Sequence, residues 1–524
     1  MTRYASLLLT ACAAAASALS ADARLVDPDS NQRRRRRMAD VQGLPDGASP
    51  NANDEFTSIS EMVERPVPGT DERAVPLGDT TAAVAEAIAE ATSGQAAEAE
   101  ETAHACSRDH PGACAQLAGF GTTLFRALLA PALEESTTST SISDNILLSP
   151  FSIGQALALV TAGATPGSTC ESELLAVLGV EDHGGVPLLA DAILSSAEDS
   201  GGVSLTTASS VWLHGSIKAS YEERAEIIHH ASAMPLPRTY GPMNEWAELV
   251  SGGQVKNLFD ASQVVDPLMR AALINVVSFR GTWTHRFDPA KTEVGVFTKK
   301  IAGGEGDGDV EEEEKAVKYM KDRRHVLLHP SQPELGGAVV MKLDYGPVRT
   351  DPERGWETPS KFSALFVLPK DGSVESEQAA LDGLARSTSV AELIRGLRPR
   401  EVNLSIPKFK LEFGTASLAN SLRSMGLAEV FDGTGVLSGM SDDPDLHLDN
   451  VLHKAVMEMT EEGTTASAAT AAMIMTRSVP PPPQDLEFNR PFLVMVVHVE
   501  TGTPLFIGRV GDPNLSFEED GLER

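Results

Sequence analysis

Residues 145–163 read NILLSPFSIGQALALVTAG, and they open the part of the chain that carries its core. The run from Asn145 to Pro150 predicts a short buried strand that the proline stops. From Ser152 to Ala162 the apolar residues recur at helical spacing, and Gly163 follows as a stop signal. The sequence therefore predicts a buried strand that leads directly into a helix.

On either side of this unit the pattern separates into helices and strands. Thr169 is a candidate N-cap for a helix that ends at Gly179, and Leu418–Met425 also has helical character. The strand-like segments come later: Leu273–Phe279, Ala364–Leu368, Val402–Ile406, Phe492–Val499 and Leu505–Val510. Helices first and strands later, without regular alternation, predict an α+β fold rather than a doubly wound one.

The 524-residue chain is strongly acidic, with 74 Asp and Glu against 43 Lys and Arg and a formal net charge of −31. Its hydrophobic fraction of 42% is enough for a sizeable core. The acidity argues against nucleic acid as a partner, because phosphate binding relies on basic surfaces. Beyond the N-terminus no apolar run is long enough to span a membrane.

Catalytic and metal-binding motifs are absent from the sequence. It contains no GxSxG, HExxH, phosphate-binding P-loop or CxxC pattern. His229 and His230 are adjacent, and neighbours on a helix point to different faces, so they form a poor metal pair. Four cysteines are too few for a disulfide framework, and Cys170 is expected to be a buried, inert thiol. We predict a protein that is not an enzyme and that needs no metal or cofactor.

Residues 1–23 have the features of a secretory signal peptide. Arg3 is followed by an apolar stretch from Leu7 to Leu19, and Ala21–Ala23 forms a small-x-small cleavage pattern. A membrane anchor is the alternative, but the stretch is short and is interrupted by Ser and Thr. We therefore expect a secreted, extracellular protein that is not held in a membrane.

Residues 24–115 predict a disordered N-terminal extension, because large aliphatic side chains are scarce there. Arg33–Arg37 is either a processing site, with cleavage after Arg37, or a solvated charge run. Cys106 and Cys114 either close a small disulfide loop or remain two free thiols. The sequence leaves both questions open.

Residues 463–483 form a long loop whose composition is unlike the rest of the chain. Small side chains fill it up to Ala472, and four prolines close it as a stiff spacer. Loops of this length within a compact domain are usually functional. Arg477 is its only basic residue, which suits a trypsin-like protease as a cleavage point. The alternative is a flexible surface loop without a role.

The segments around this loop resemble those of the serpin family over residues 116–513. Any one of them is a weak signal, but together they follow the family's order along the chain. The matching segments are Asn145–Ile153, Gly163–Thr169, Asn275–Trp283, Ile406–Phe409, Met425–Leu427, His453–Lys454, Arg490–Phe492 and Phe506–Val510. The resemblance implies helices packed on a large central β-sheet, with smaller sheets and an exposed reactive-centre loop.

The resemblance also implies an irreversible, suicide-substrate inhibitor of trypsin-like serine endopeptidases. Family spacing from Gly463 makes Arg477–Ser478 the bait bond, with Met475 as the alternative bait for a chymotrypsin-like target. A covalent acyl-enzyme is then trapped when the cut loop inserts into the central sheet. Fast insertion needs small, uncharged hinge residues, and the implied hinge is Gly463, Thr464, Ala466, Ser467, Ala468 and Ala469. The alternative class is a non-inhibitory serpin that acts as a binding, chaperone or storage protein.

Other features depart from the family pattern or extend it. Ser209 stands where the family usually has Asn, and Thr465 where it usually has Glu. Lys and Arg are absent from Thr169 to Ile217, so activation by heparin is not expected, and the implied active form is a monomer.

The acidic insert 303–314 predicts a solvated loop of unassigned role, and residues 514–524 predict an acidic tail. Glycosylation at Asn403 or Asn514, and which protease is the target, stay open.

Overall fold

The structure, a computed structural model, describes residues 119–128, 145–181, 184–256, 258–302, 310–350, 357–358, 360–386, 390–463 and 483–513. Helices in these ranges are α1 (119–128), α2 (Pro150–Thr161), α3 (Thr169–Leu178), α4 (Gly185–Asp199), α5 (Ala219–Ile227), α6 (Gly241–Val250), α7 (Val374–Arg386), α8 (Val390–Gly396), α9 (Ala419–Ser424) and α10 (Glu429–Asp432). The predicted signal peptide, the N-terminal extension with Arg33–Arg37, Cys106 and Cys114, and the C-terminal tail with Asn514 lie outside them.

The strands of the same ranges follow in chain order. They are β1 (Asn145–Leu148), β2 (Val203–Leu213), β3 (Ser232–Pro235), β4 (Ala271–Gly281), β5 (Glu293–Ala302), β6 (Val310–Gln332), β7 (Ala338–Tyr345), β8 (Arg349–Thr350), β9 (Glu357–Thr358), β10 (Phe362–Leu368), β11 (Arg398–Pro407), β12 (Phe409–Ser417), β13 (Asn450–Met459), β14 (Gln484–Glu487), β15 (Phe492–His498) and β16 (Thr503–Val510). The predicted strand segments coincide with five of these strands, β4, β10, β11, β15 and β16.

The predicted order of a buried strand, a proline and a helix is confirmed, with the strand at Asn145–Leu148 and the helix at Pro150–Thr161. The Ser149 hydroxyl accepts a hydrogen bond from the backbone N–H of Ser152, at 3.2 Å, and thereby caps α2. Pro150 occupies the first helical turn, where its missing N–H leaves no bond unmade. These two residues fix where the buried helix begins.

Two large sheets form the framework of the described chain, so the predicted α+β class is confirmed. The larger is nine-stranded, in the order β1-β16-β15-β10-β7-β6-β11-β14, with β5 paired to β6. The smaller, which we call the central sheet, is five-stranded in the order β12-β13-β4-β2-β3. In the central sheet β13 runs parallel to β4, and β3 runs parallel to β2. The remaining pairs in that sheet are antiparallel.

The central sheet is buried on both faces, as the alternation of side chains in β4 shows. Leu273, Val277 and Phe279 enter the main core. Ile274 and Val276 enter a second core that includes α6. Because successive side chains of a strand point to opposite faces, one strand serves both cores. The sheet therefore lies between α6 on one face and the main core, with α2, on the other.

Three local predictions are wrong in detail. The N-cap of α3 is Ser168, whose hydroxyl accepts from the N–H of Glu171, and Thr169 is already helical. Part of the acidic insert is strand, because 310–314 extend β6 alongside β5. Register places Lys299 opposite Glu313, and opposite charges across an antiparallel pair stabilise it. His229 and His230 follow the end of α5 rather than lying within a helix.

Cys170 is buried, as predicted, and burial raises the pKa of its thiol to about 12. A thiol with that pKa stays protonated at neutral pH and is a poor nucleophile. None of the helices that the structure describes is long and apolar enough to cross a membrane.

Candidate functional site

The chain leaves β13 through a tight turn that ends at Gly463. The backbone groups of Thr460 and Gly463 bond to each other in both directions at 3.1 Å. Gly463 has φ +98°, a conformation that residues with a side chain rarely adopt. A Cβ atom at this position would also lie 2.5 Å from the backbone nitrogen of Trp283 and closer still to the Gly281 carbonyl oxygen. This turn therefore requires glycine.

The same turn is attached to the residues that follow β4. The backbone N–H of Trp283 donates to the Glu462 carbonyl at 3.0 Å, and its indole N–H donates to the Thr460 carbonyl at 3.0 Å. The Trp283 ring stacks on Tyr345, with 4.4 Å between ring centroids. Trp283 thus holds the exit of β13 against the end of β4.

A nearly buried ion pair, between Lys408 and Glu461, fixes the other side of the turn. The Lys408 ammonium lies 2.9 Å from one Glu461 oxygen, and the Thr292 hydroxyl donates to the other oxygen at 2.7 Å. Burial raises the pKa of Glu461, but the hydrogen bonds from Lys408 and Thr292 outweigh it and hold that pKa below its usual value. Glu461 is therefore ionised at neutral pH and ties the turn to the residues between β11 and β12.

Beyond the turn, β13 and β4 form what we call the seam of the central sheet. Their parallel register runs from Asn450 opposite Ala272 to Val456 opposite Ser278. β13 pairs with β12 on its other side, so neither side of β13 is free. A segment that continues from Gly463 back along β13 therefore has to displace a neighbour.

A polar cluster lies under the seam, where the two strands face α2. His453 on β13 lies opposite Asn275 on β4, and its Nδ1 is 2.8 Å from the Asn275 side-chain oxygen. The backbone N–H of Ser149 donates to His453 Nε2 at 3.0 Å. Since a backbone N–H can only donate, Nε2 carries no proton, and Nδ1–H donates to Asn275. Ser152 adds a hydroxyl that donates to the same Asn275 oxygen at 2.8 Å.

His453 is neutral in this cluster. It is fully buried, and burial lowers the pKa of its imidazole from 6.5 to about 3. The cluster therefore joins β4, β13 and α2 through hydrogen bonds between uncharged groups. It carries no charge that would have to be desolvated.

Ser209, which stands where the family usually has Asn, still completes the hydrogen bonds of this cluster. The Asn275 amide donates to the Ser209 hydroxyl at 3.0 Å and to the Ser152 carbonyl at 3.2 Å. A serine therefore supplies an acceptor at the position where an asparagine was expected.

The predicted functional residues separate into two groups. Gly463 lies in the described turn at the exit of the seam. The rest of the predicted hinge and the bait bond lie outside the described residues: Thr464, Ala466, Ser467, Ala468, Ala469, Arg477 and Ser478. Their roles stay predictions. The structure describes only the two ends of the loop, Gly463 and β14.

Comparison with known proteins assigns the family. The family model described as "Serpin (serine protease inhibitor)" matches residues 118–513, about three quarters of the chain. The chain belongs to the serpin family. Among curated relatives, this serpin is 29% identical to Serpin-Z2B of Triticum aestivum, over 75% of this chain and 96% of that protein.

Solved serpin structures share this fold. Arabidopsis AtSerpin1, in a native stressed conformation, matches with a TM-score of 0.61 and 24% identity over 77% of this chain and 98% of its own. Human thyroxine-binding globulin in complex with thyroxine matches with a TM-score of 0.60 and 22% identity, over 77% of this chain and 99% of its own. At these identities the likeness concerns the fold alone. The implied serpin fold, with helices packed on β-sheets, is therefore confirmed, whereas the implied reactive-centre loop lies outside the described residues. The family model is described as one of serine protease inhibitors.

Sequence reasoning did not assign roles to Lys408, Glu461, His453 and Asn275. All four stand in or beside segments that carry the family resemblance, but the partners in each pair are far apart in the chain. A charged residue between two apolar strand segments, as at Lys408, is the signal that the sequence offers, because a buried charge needs a partner. Only the strand register shows which partner it has.

Metal binding has no candidate in the described part of this serpin. No group of three or more His, Cys, Asp or Glu side chains there could hold a metal ion. His230 instead contacts Asp191, with 2.9 Å between Nε2 and the carboxylate oxygen.

The first prediction concerns the neutral His453. Between pH 6.5 and 3 the unfolded chain binds a proton at this residue and the folded chain does not. The unfolding free energy therefore does not depend on His453 above pH 6.5. It falls as the pH drops from 6.5 towards 3, by up to about 1.4 kcal/mol per pH unit. His453→Gln should therefore show a shallower fall in unfolding free energy than the wild type.

Denaturant unfolding between pH 7 and 4 measures this difference. His498, whose pKa burial and Lys361 lower to about 3, gives the same trend in both proteins and cancels in the comparison. Parallel pH curves for the wild type and His453→Gln would contradict the prediction.

The second prediction concerns Lys408. Lys408→Met leaves the Glu461 carboxylate, whose side chain is 10% exposed, without its cation. Loss of one partner of a buried pair costs about 3 kcal/mol of unfolding free energy. Lys410→Met is the matched control, since its pair with Glu412 is 44% and 47% exposed and should cost at most about 1 kcal/mol. Equal shifts in the two denaturation curves would show that the pair does not hold the turn.

Proposed function

We propose that this serpin is an irreversible inhibitor of trypsin-like serine endopeptidases, with Arg477–Ser478 as the bait bond. The observation that carries the proposal is the seam, where two parallel strands lie next to each other at the point from which the loop departs. Residues from Thr464 onwards would form a new strand between β4 and β13.

Strand geometry supports insertion at the seam. A chain that turns back at Gly463 runs antiparallel to β13 and, because β4 is parallel to β13, antiparallel to β4 as well. One parallel ladder is thereby replaced by two antiparallel ladders, which are the more stable kind per residue. The exchange adds a strand's worth of hydrogen bonds and buried side chains, and this gain drives insertion.

The other end of the loop explains why insertion waits for cleavage. β14 begins at Gln484 and pairs with β11 in the nine-stranded sheet, so the two ends of the loop are attached to different sheets. The loop cannot enter the seam along its full length while both attachments hold. Cleavage at Arg477 separates them.

Trapping would form one bond and break one bond, and it would need no cofactor. The serine oxygen of the protease bonds to the carbonyl carbon of Arg477, and the peptide bond to Ser478 breaks. The amine of Ser478 takes up a proton and stays with the segment that leads to β14. Insertion then carries the ester-linked protease away before water can hydrolyse the ester.

Hinge composition supports rapid insertion. During insertion Thr464 would enter first and would point into the core, and Ala466, Ser467, Ala468 and Ala469 would follow without bulk or charge. An ion there would be buried without a partner, at a cost of several kcal/mol. Non-inhibitory relatives typically carry a charge, a proline or a bulky residue in this hinge, and none occurs between Thr464 and Ala472.

The same proposal includes export from the cell. It rests on residues 1–23, with their basic start, apolar stretch and small-x-small site. N-terminal sequencing of protein recovered from the medium tests it. Protein that stays inside the cell with Met1 in place would contradict it.

The third prediction tests the bait. Arg477→Ala should lose inhibition of trypsin, because the acidic specificity pocket no longer finds a guanidinium. Arg477→Lys is the matched control, since it keeps a positive charge and should keep inhibition. Wild type incubated with trypsin should give an SDS-stable complex, and Arg477→Ala should give none. A complex of undiminished yield in Arg477→Ala would exclude this bond.

The fourth prediction tests the hinge by comparing substitutions at two neighbouring residues. Thr464→Arg places a charge in the core during insertion, so the protease should complete hydrolysis and leave a cleaved serpin without a complex. Thr465→Glu is the control, because the family usually carries a charged Glu at this position. Complex yield on SDS gels should fall at least tenfold in Thr464→Arg only. Equal yields in both variants would count against insertion, and no complex even for wild type would favour the non-inhibitory binding class.

A further inference from the structure

A groove of about 560 Å³ opens between α6 and the ends of β2 and β3. Its apolar lining includes Trp212, Met234 and Leu236 on the sheet side, and Trp246 and Leu249 on α6. The remaining lining residues are three prolines and Glu245. The groove is wide and open to solvent, and it shares with small-molecule sites a mostly apolar lining with few polar groups.

The floor of the groove is held in place. Trp212 is 4% exposed and belongs to the second core, and its indole N–H donates to the Ser210 hydroxyl at 2.9 Å. Trp246 packs against the same core from α6. Leu249 is 80% exposed and forms a rim that a ligand would cover. The groove thus offers the partly buried Trp246 ring above a floor that Trp212 supports.

Glu245 gives the groove its charge. It is the single ionisable residue of the lining, and it makes no ion pair or hydrogen bond with any other described residue. Glu248, one turn further along α6, differs in this respect, since it lies 3.4 Å from Lys256. No lysine or arginine lines the groove. Its electrostatics therefore favour a positive ligand.

We propose that this groove binds a lipophilic organic cation. Aromatic groups of the ligand would cover Met234, Leu236 and Leu249, and its positive charge would lie against the Trp246 indole and the Glu245 carboxylate. A cation over a tryptophan ring gains attraction from the ring quadrupole, and this gain is largest when water is excluded. Neutral and anionic ligands of the same shape lack this contribution.

The test uses two ions of nearly identical size and shape. Tetraphenylphosphonium is the cationic probe, and tetraphenylborate is its anionic counterpart. Both are titrated into the full chain, without protease, in 0.15 M salt, which screens the general attraction of an acidic protein for cations. Binding is read by calorimetry and by tryptophan fluorescence, since two of the four tryptophans lie at the groove. The cation should bind with one-to-one stoichiometry and at least tenfold more tightly than the anion.

Three variants locate the site. Glu245→Gln should raise the dissociation constant of tetraphenylphosphonium about fivefold or more, and Glu223→Gln, an exposed carboxylate on α5, should leave it unchanged. Leu249→Arg puts a cation at the exposed rim, where folding should tolerate it, and should abolish binding. Equal affinity for the two ions, or equal effects of Glu245→Gln and Glu223→Gln, would overturn the proposal. Because no protease is present, this outcome is independent of whether the serpin inhibits trypsin.

Discussion

The parallel pairing of β4 with β13 is the contact on which the rest of the structure depends. It brings His453 opposite Asn275, and it places the exit of the loop beside the end of β4. It also lets α6 cover the two strands together, because Ile274 of β4 and Leu452 of β13 belong to the same core as that helix. A strand placed between β4 and β13 would move them apart by about 4.8 Å. The hydrogen bond between His453 and Asn275 would then have to break.

The two sets of side chains that hold the seam differ in their chemistry. The cluster around His453 is neutral, so breaking it exposes no unpaired ion. The pair between Lys408 and Glu461 is charged and nearly buried, so losing either partner leaves an ion with its desolvation cost uncompensated. We infer that the exit of the seam tolerates substitution less well than its interior. The glycine requirement at Gly463 acts in the same direction, since a Cβ there meets backbone on two sides.

Much of the fold could be predicted from local pattern, because local chemistry decides it. The capping hydroxyl and proline at Ser149–Pro150 fix a helix start whatever surrounds them. The acidic insert shows the limit of this reasoning. Glu313 carries the composition of a solvated loop, yet its pairing opposite Lys299 makes it strand. At the site, Gly463 could be found by counting along the chain, whereas the partnership of Lys408 with Glu461 depends on a register that composition does not encode.

In the proposed mechanism, the positions of the loop's two ends explain why the loop would stay outside the sheet before cleavage. At one end the chain leaves the central sheet at Gly463, and at the other it joins the nine-stranded sheet at Gln484. Each residue that entered the seam from the first end would shorten the chain that still has to reach the second. Early insertion would therefore gain ladder hydrogen bonds but would stretch the chain that still has to reach Gln484. In the proposed mechanism, cleavage at Arg477 would remove that opposing cost in one step, and the gain in ladder hydrogen bonds would then favour entry of the loop.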